Sequence, residues 1–138
     1  MLTKYNNFLQ LPVWELSHKS TLEIYDLTYK FPKEEQYGLI SQIRRSAASV
    51  PANIVEGLYR HTTKELIKFL YNARGSAGET KYHLLLAKDL RYISETELQK
   101  MEEDYESISK QINSWIKSLR NKNSFPPSTI SHQPSAIK

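Results

Sequence analysis

The sequence predicts an all-α fold, an antiparallel up-down four-helix bundle with a proline-bent second helix and a disordered C-terminal tail. Three observations carry this. Apolar or small residues recur at spacings of three and four along four separate stretches, the period of a helix face. The apolar/polar alternation of strands is absent, and the chain of 138 residues holds only four glycines. Prolines and capping residues stand at the breaks between the stretches.

The first helix is expected near 12–31. Pro12 suits a first helical turn, where its missing N–H costs nothing. Its core row reads Val13, Ser17, Ser20, Ile24, Leu27, Phe31. "FPKEEQ" then stops this helix at Pro32 and places acids in the first turn of the next, expected near 34–59. The second row is Ile40, Ile43, Ala47, Val50, Ile54, Gly57. Pro51 lies inside it, yet the row keeps its phase on both sides, so the spacing predicts one bent helix rather than two. Pro51 withdraws a hydrogen bond from the Ala47 carbonyl, a loss of roughly 3 kcal/mol if nothing replaces it. Ser46, Ser49, Asn53 or water are the expected replacements.

The third helix, near 63–91, follows "RHTTKE", where Thr62 and Glu65 have capping-box spacing. Its row is Leu66, Leu70, Ala73, Ala77, Thr80, Leu84, Ala87. Here "GSAG" at 75–78 is expected to serve close packing. The fourth, near 95–120, starts at a second capping box, Ser94 with Glu97, and buries Leu98, Met101, Tyr105, Ile108, Ile112, Trp115, Leu119. Short connections make neighbours antiparallel, and a repeat near 3.5 predicts small crossing angles. Residues 1–120 thus form one bundle domain. The tail 121–138 has three prolines and no periodicity, and is expected to be disordered.

Composition narrows the function. With no cysteine, disulfides and thiolate metal sites are excluded. The N-terminus lacks the apolar run of a signal peptide. The longest apolar-leaning uncharged run before the tail, Ser46–Val55, is about half the roughly 20 residues of a spanning helix. A cytoplasmic protein without membrane partners is expected. The net charge of +4 is uneven: residues 33–91 carry ten Lys/Arg and six acids, while 92–120 carry four and six. A basic middle suits nucleic-acid contact as well as an ordinary solvated surface.

Nothing points to catalysis. No nucleophile elbow, phosphate-binding loop or dinucleotide fingerprint occurs. A di-iron bundle needs Glu on two helices and Glu-x-x-His on the others. The nearest approach here is Glu79 with His83, to which Glu56 adds at most one more ligand. No enzyme activity, cofactor or metal is expected. Glu56 instead calls for a cation near the end of helix two, such as Arg60.

"SQIRRSAASVPANIVEGLYR" (41–60) resembles the signature of bacterial four-helix-bundle proteins encoded in intervening sequences of large-subunit ribosomal RNA genes. Phe31–Pro32, Gly38–Leu39, "FLYNARGSAGE" (69–79) and "LRYI" (90–93) extend the resemblance over about residues 8–120. Val55 stands where Ala is expected, and Ala77–Gly78 where a bulkier residue is. A related branch comprises accessory proteins of diversity-generating retroelements. It implies a homopentameric ring with a positive surface that binds nucleic acid and a reverse transcriptase.

A second row of residues lies outside the core. Tyr71, Gly78 and Leu85 recur seven apart on helix three, with Arg74 alongside, and Trp14 and Tyr25 flank the core row of helix one. Such an amphipathic row fits an oligomer interface. Arg60, Lys64 and Lys68 form a basic row at the helix two–three turn, and Arg44 and Arg45 add to the same surplus. These five are the expected nucleic-acid contacts, reaching phosphates rather than reading bases. The alternative is a structural or protein-interaction bundle of the ribosomal RNA intervening sequence.

Overall fold

The computed structural model describes residues 8–124. Helix α1 runs over Pro12–Thr28, α2 over Leu39–Leu58, α3 over Thr63–Asp89 and α4 over Glu95–Ser124, with single 3-10 turns at Phe8–Gln10 and Lys33–Glu35. Among the described residues there is no strand. Each helix packs on its chain neighbours, and α4 closes back on α1; α2 and α3 pack most closely and α1 and α4 least. The result is the expected all-α up-down bundle.

The helix ends show which local signals won. Pro12 occupies the first turn of α1 as expected. That helix ends at Thr28, three residues early. Pro32 bars helical backbone at Phe31, and the chain leaves in tight turns, with Lys30 N–H on the Leu27 carbonyl and Phe31 N–H on that of Thr28. Helix α2 begins at Leu39 rather than near 34. The acids after Pro32 form one 3-10 turn, and Glu35 Oε1 accepts the Leu39 N–H at 3.1 Å. That N–H first, and the Tyr92 hydroxyl second, hold the Glu35 carboxyl below its ordinary range. At α3, the Thr62 hydroxyl accepts Glu65 N–H at 3.1 Å. At α4 the box is reciprocal: Ser94 Oγ accepts Glu97 N–H at 3.0 Å and Glu97 Oε1 accepts Ser94 N–H at 2.9 Å. Helix α4 continues to Ser124, so the expected tail begins in helix; the rest of that expectation lies outside the described residues.

Helix α2 runs unbroken through buried Pro51. The orphaned Ala47 carbonyl finds its donor on another helix. The Thr21 hydroxyl of α1 lies 3.1 Å from it and 2.8 Å from the Ser17 carbonyl, a donor shared between helices. Ser46 and Asn53, candidates for this task, serve other carbonyls: Ser46 that of Ile43, Asn53 that of Ser49.

The four core rows are buried with three corrections. Thr28, Leu39 and Ile116 are buried where Leu27, Ile40 and Trp115 were expected; the latter three are half-buried. All three slips fall at the first or second-to-last position of a row. A strict seven-residue repeat drifts about 20° per heptad on a straight helix, so the face moves to the adjacent residue. The rows meet through small side chains between α2 and α3. Hydroxyls there form a ladder, with Thr80 donating to Ser46 at 2.8 Å and Ser76 to Ser49 at 2.9 Å. Gly57 allows a close approach: an added Cβ would stand 2.9 Å from Leu66 Cδ1 and 3.0 Å from Phe69 Cβ. The "GSAG" expectation holds for Ala77, which is fully buried, and for half-buried Ser76, which bonds Ser49, but not for the two glycines. Gly75 and Gly78 face open space, with nothing within 4 Å of an added Cβ.

Candidate nucleic-acid interface

The up-down topology places the starts of α1 and α3 and the ends of α2 and α4 at one end of the bundle. Contacts between α3 and α4 set the register: the Arg120 guanidinium lies over the Tyr71 ring at 5.2 Å, and Arg74 donates to Asn113 at 2.8 Å. Splitting each helix near its middle, residues 8–20, 49–76 and 110–124 hold nine Lys/Arg and three acids. The other end, 21–48 and 77–109, holds eight Lys/Arg and twelve acids. The bundle is therefore charge-polarised along its axis.

The basic end draws on two segments distant in sequence. The first turns of α3 bring Lys64 and Lys68, and the last turns of α4 bring Lys117, Arg120 and Lys122. Lys64, Lys68 and Lys117 are exposed and have no carboxylate within ion-pair reach among the described residues. Arg60 stands at the same end with a partner, donating to Glu56 at 2.7 Å while lying over the Phe69 ring at 4.9 Å. This supplies the cation that Glu56 requires. The last turns of α4 were missed in the sequence reading, although "WIKSLRNK" is visibly basic; their closeness to Lys64 and Lys68 is a property of the packing.

Arg44 and Arg45 stand at the other end, sixteen and fifteen positions before Arg60, roughly 24 Å along the helix. Arg44 reaches across to α1, with Nε donating to Thr28 Oγ1 at 2.8 Å and its guanidinium 4.5 Å over the Tyr25 ring. Arg45 pairs with Glu79 and also donates to Gln42. The five expected contacts therefore do not form one surface.

The six residues of the second row divide between two faces. Tyr71, Arg74, Gly78 and Leu85 lie on the α4 side of α3, and Tyr71 is covered by Arg74 and Arg120. Trp14 and Tyr25 lie on the α2 side of α1, Trp14 between Phe8 and His18 with both ring centroids 4.9 Å away. In a four-cornered bundle these two faces are opposite. Leu85 and Tyr25 are 42% and 44% exposed, so both faces offer apolar area.

His83 Nε2 lies 3.3 Å from Glu79, whose carboxylate is already shared with Arg45. Glu56 is engaged with Arg60. Among the described residues no three His, Cys, Asp or Glu side chains assemble into a metal ligand set. No helix among them is long and apolar enough to cross a membrane.

The chain matches the family model described as 23S rRNA-intervening sequence protein over residues 9–114. It is also similar to a solved structure from Bacteroides thetaiotaomicron, a protein with unknown function from the S23 ribosomal protein family. Identity is 29% with a TM-score of 0.71, over 76% of this chain and 98% of that one. Among curated proteins, none matches the chain. With four in-phase helices and a family match over most of its length, the chain belongs to the 23S rRNA-intervening sequence protein family.

Proposed function

We propose that this protein is a non-catalytic, cytoplasmic, oligomeric bundle that binds RNA or DNA with little sequence preference through its basic end. The observation that carries this is the charge polarity, nine Lys/Arg against three acids, with Lys64, Lys68 and Lys117 unneutralised. A single end offers few phosphate contacts, so affinity grows by repetition in an oligomer. The opposed aromatic faces suit head-to-tail association, which closes into a ring such as the pentamer that the retroelement-branch resemblance implies. A ring of this kind brings equivalent basic ends together. The resemblance of the 41–60 segment to retroelement accessory proteins supports the finer reading of a reverse-transcriptase accessory factor.

Mobility shift of labelled single-stranded RNA and DNA at varied salt tests the reading. The affinity is expected to fall steeply with salt, with a log–log slope of about −0.7 per phosphate contacted. Changing Lys64, Lys68 and Lys117 together to Glu abolishes the shift while helicity and oligomer size persist. Equal binding by that variant refutes the surface. The second reading, a protein-interaction scaffold, is favoured by the carboxylate partners of Arg45 and Arg60; an absence of binding at low salt selects it.

A further inference from the structure

A cavity of about 480 Å³ opens at the opposite end from Lys64 and Lys68, between the end of α1, the 29–38 connection and the first turns of α2. Its size lies in the roughly 300–1,000 Å³ range of small-molecule sites. Thr28, Phe31 and Ile40 supply an apolar-leaning floor, Arg44 and Lys33 two cations, and Tyr29 a ring at the mouth; the remaining lining is uncharged. This end of the molecule is rich in acids, yet no carboxylate lines this cavity. Two other grooves differ. One between α1 and α4 includes Glu23 and Glu97, which are paired with Lys100 and Lys30. The other, along α4, is lined by Glu102, Glu103 and Glu106. Glu35, in the same connection, is turned away to Leu39 and Tyr92.

Both cations are uncommitted to acids among the described residues. Arg44 is fixed in place: Nε is held by Thr28 Oγ1 at 2.8 Å, one terminal nitrogen by the Tyr25 carbonyl at 3.4 Å, and the plane rests on the Tyr25 ring. Its other terminal nitrogen remains a positioned charged donor. A fixed guanidinium loses little freedom on meeting an anion and suits phosphate oxygens. Lys33 is exposed and adds a second, mobile charge. Tyr29 is 85% exposed, a large ring left in water beside a half-apolar hollow. Two cations next to aromatic surface fit an anion joined to a flat ring.

We propose that this cavity binds a small phosphomonoester carrying a planar ring, the chemistry of a nucleoside 5′-monophosphate. The phosphate lies between Arg44 and Lys33, and the ring lies on Phe31 and Ile40 under Tyr29. The site is independent of the basic end. Its ligand is either a free mononucleotide or the 5′-terminal residue of a strand, which present the same group.

Calorimetric titration of the full chain with AMP, adenosine and inorganic phosphate tests it. AMP binds, while adenosine and phosphate each bind at least about tenfold more weakly, because each leaves half of the cavity empty. Lys33→Ala and Tyr29→Ala touch only exposed side chains; each weakens AMP by about fivefold or more with unfolding unchanged. Arg44→Gln removes binding, and these two exposed variants keep the test decisive should it loosen the α1–α2 contact. Lys64→Glu with Lys68→Glu leaves AMP binding intact. A 5′-phosphorylated tetranucleotide that displaces AMP, where its 5′-hydroxyl counterpart does not, marks a strand end as the ligand; failure of both to displace it marks the free nucleotide. The proposal is overturned if AMP shows no saturable binding up to about 10 mM, where Kd would exceed any specific site. It is equally overturned if Lys33→Ala and Tyr29→Ala bind AMP as the parent does, or if the α3 double variant loses it.

Discussion

Replacing Thr21 by Val isolates the bond that lets a proline sit inside α2. Thr21 is 7% exposed and Ala47 fully buried, so water cannot replace the missing hydroxyl. Val keeps the shape and removes only the donor at 3.1 Å from the Ala47 carbonyl. The Ser17 carbonyl, 2.8 Å from the same hydroxyl, retains the helical N–H of residue 21. The expected cost is that of one orphaned buried carbonyl, about 1–3 kcal/mol. Pro51→Ala supplies the cross-check, because an alanine there restores the N–H that the Ala47 carbonyl lacks. In the Pro51→Ala background, Thr21→Val should therefore cost little, giving a coupling of about 1–2 kcal/mol in a double-mutant cycle. Urea denaturation followed by circular dichroism, at one protein concentration so that association is constant, measures all four corners. Equal costs of Thr21→Val in both backgrounds would refute the assignment, since the hydroxyl would then be stabilising something other than the orphaned carbonyl.

The glycines should divide by environment. Gly57→Ala forces Leu66 and Phe69 apart and should lower stability by about 1–3 kcal/mol in the same denaturation assay. Gly75→Ala and Gly78→Ala should each raise stability by up to about 1 kcal/mol, through helix propensity alone, and a loss at either would show that the open space is absent. Acid should weaken the fold through Glu35 and Glu97, whose carboxylates accept the N–H groups of Leu39 and Ser94 and are held below their ordinary value of 4.5. Their folded pKa values are depressed, so their contribution is present above pH 4.5 and fades as pH falls through the folded values. Denaturation midpoints measured from pH 6 to about 3 should drop less for the Glu35→Gln, Glu97→Gln double variant than for the parent; parallel profiles would remove these two groups from the acid response.

The sequence by itself determined the fold class and most of what is local. Helix periods persist whatever the neighbours, so the four apolar rows were readable. The boxes at Thr62 and Ser94 were readable too, because a cap is completed within four residues. The ion pair of Glu56 with Arg60 belongs to the same class, one turn apart on one chain segment. Tertiary structure decided everything that depends on the rotation and register of one helix against another. Acids after Pro32 read as a helix start, but Glu35 became the cap of a helix beginning four residues later. The donor for the Ala47 carbonyl came from Thr21, twenty-six residues away, rather than from nearby Ser46 or Asn53. Arg44 and Arg45 are adjacent in sequence, yet one crossed to Tyr25 and Thr28 on α1 and the other to Glu79 on α3. The basic end arises because antiparallel packing sets the last turns of α4 beside the first turns of α3. Charge along a chain is additive and legible, whereas charge on a surface depends on which distant segments the core brings to the same end.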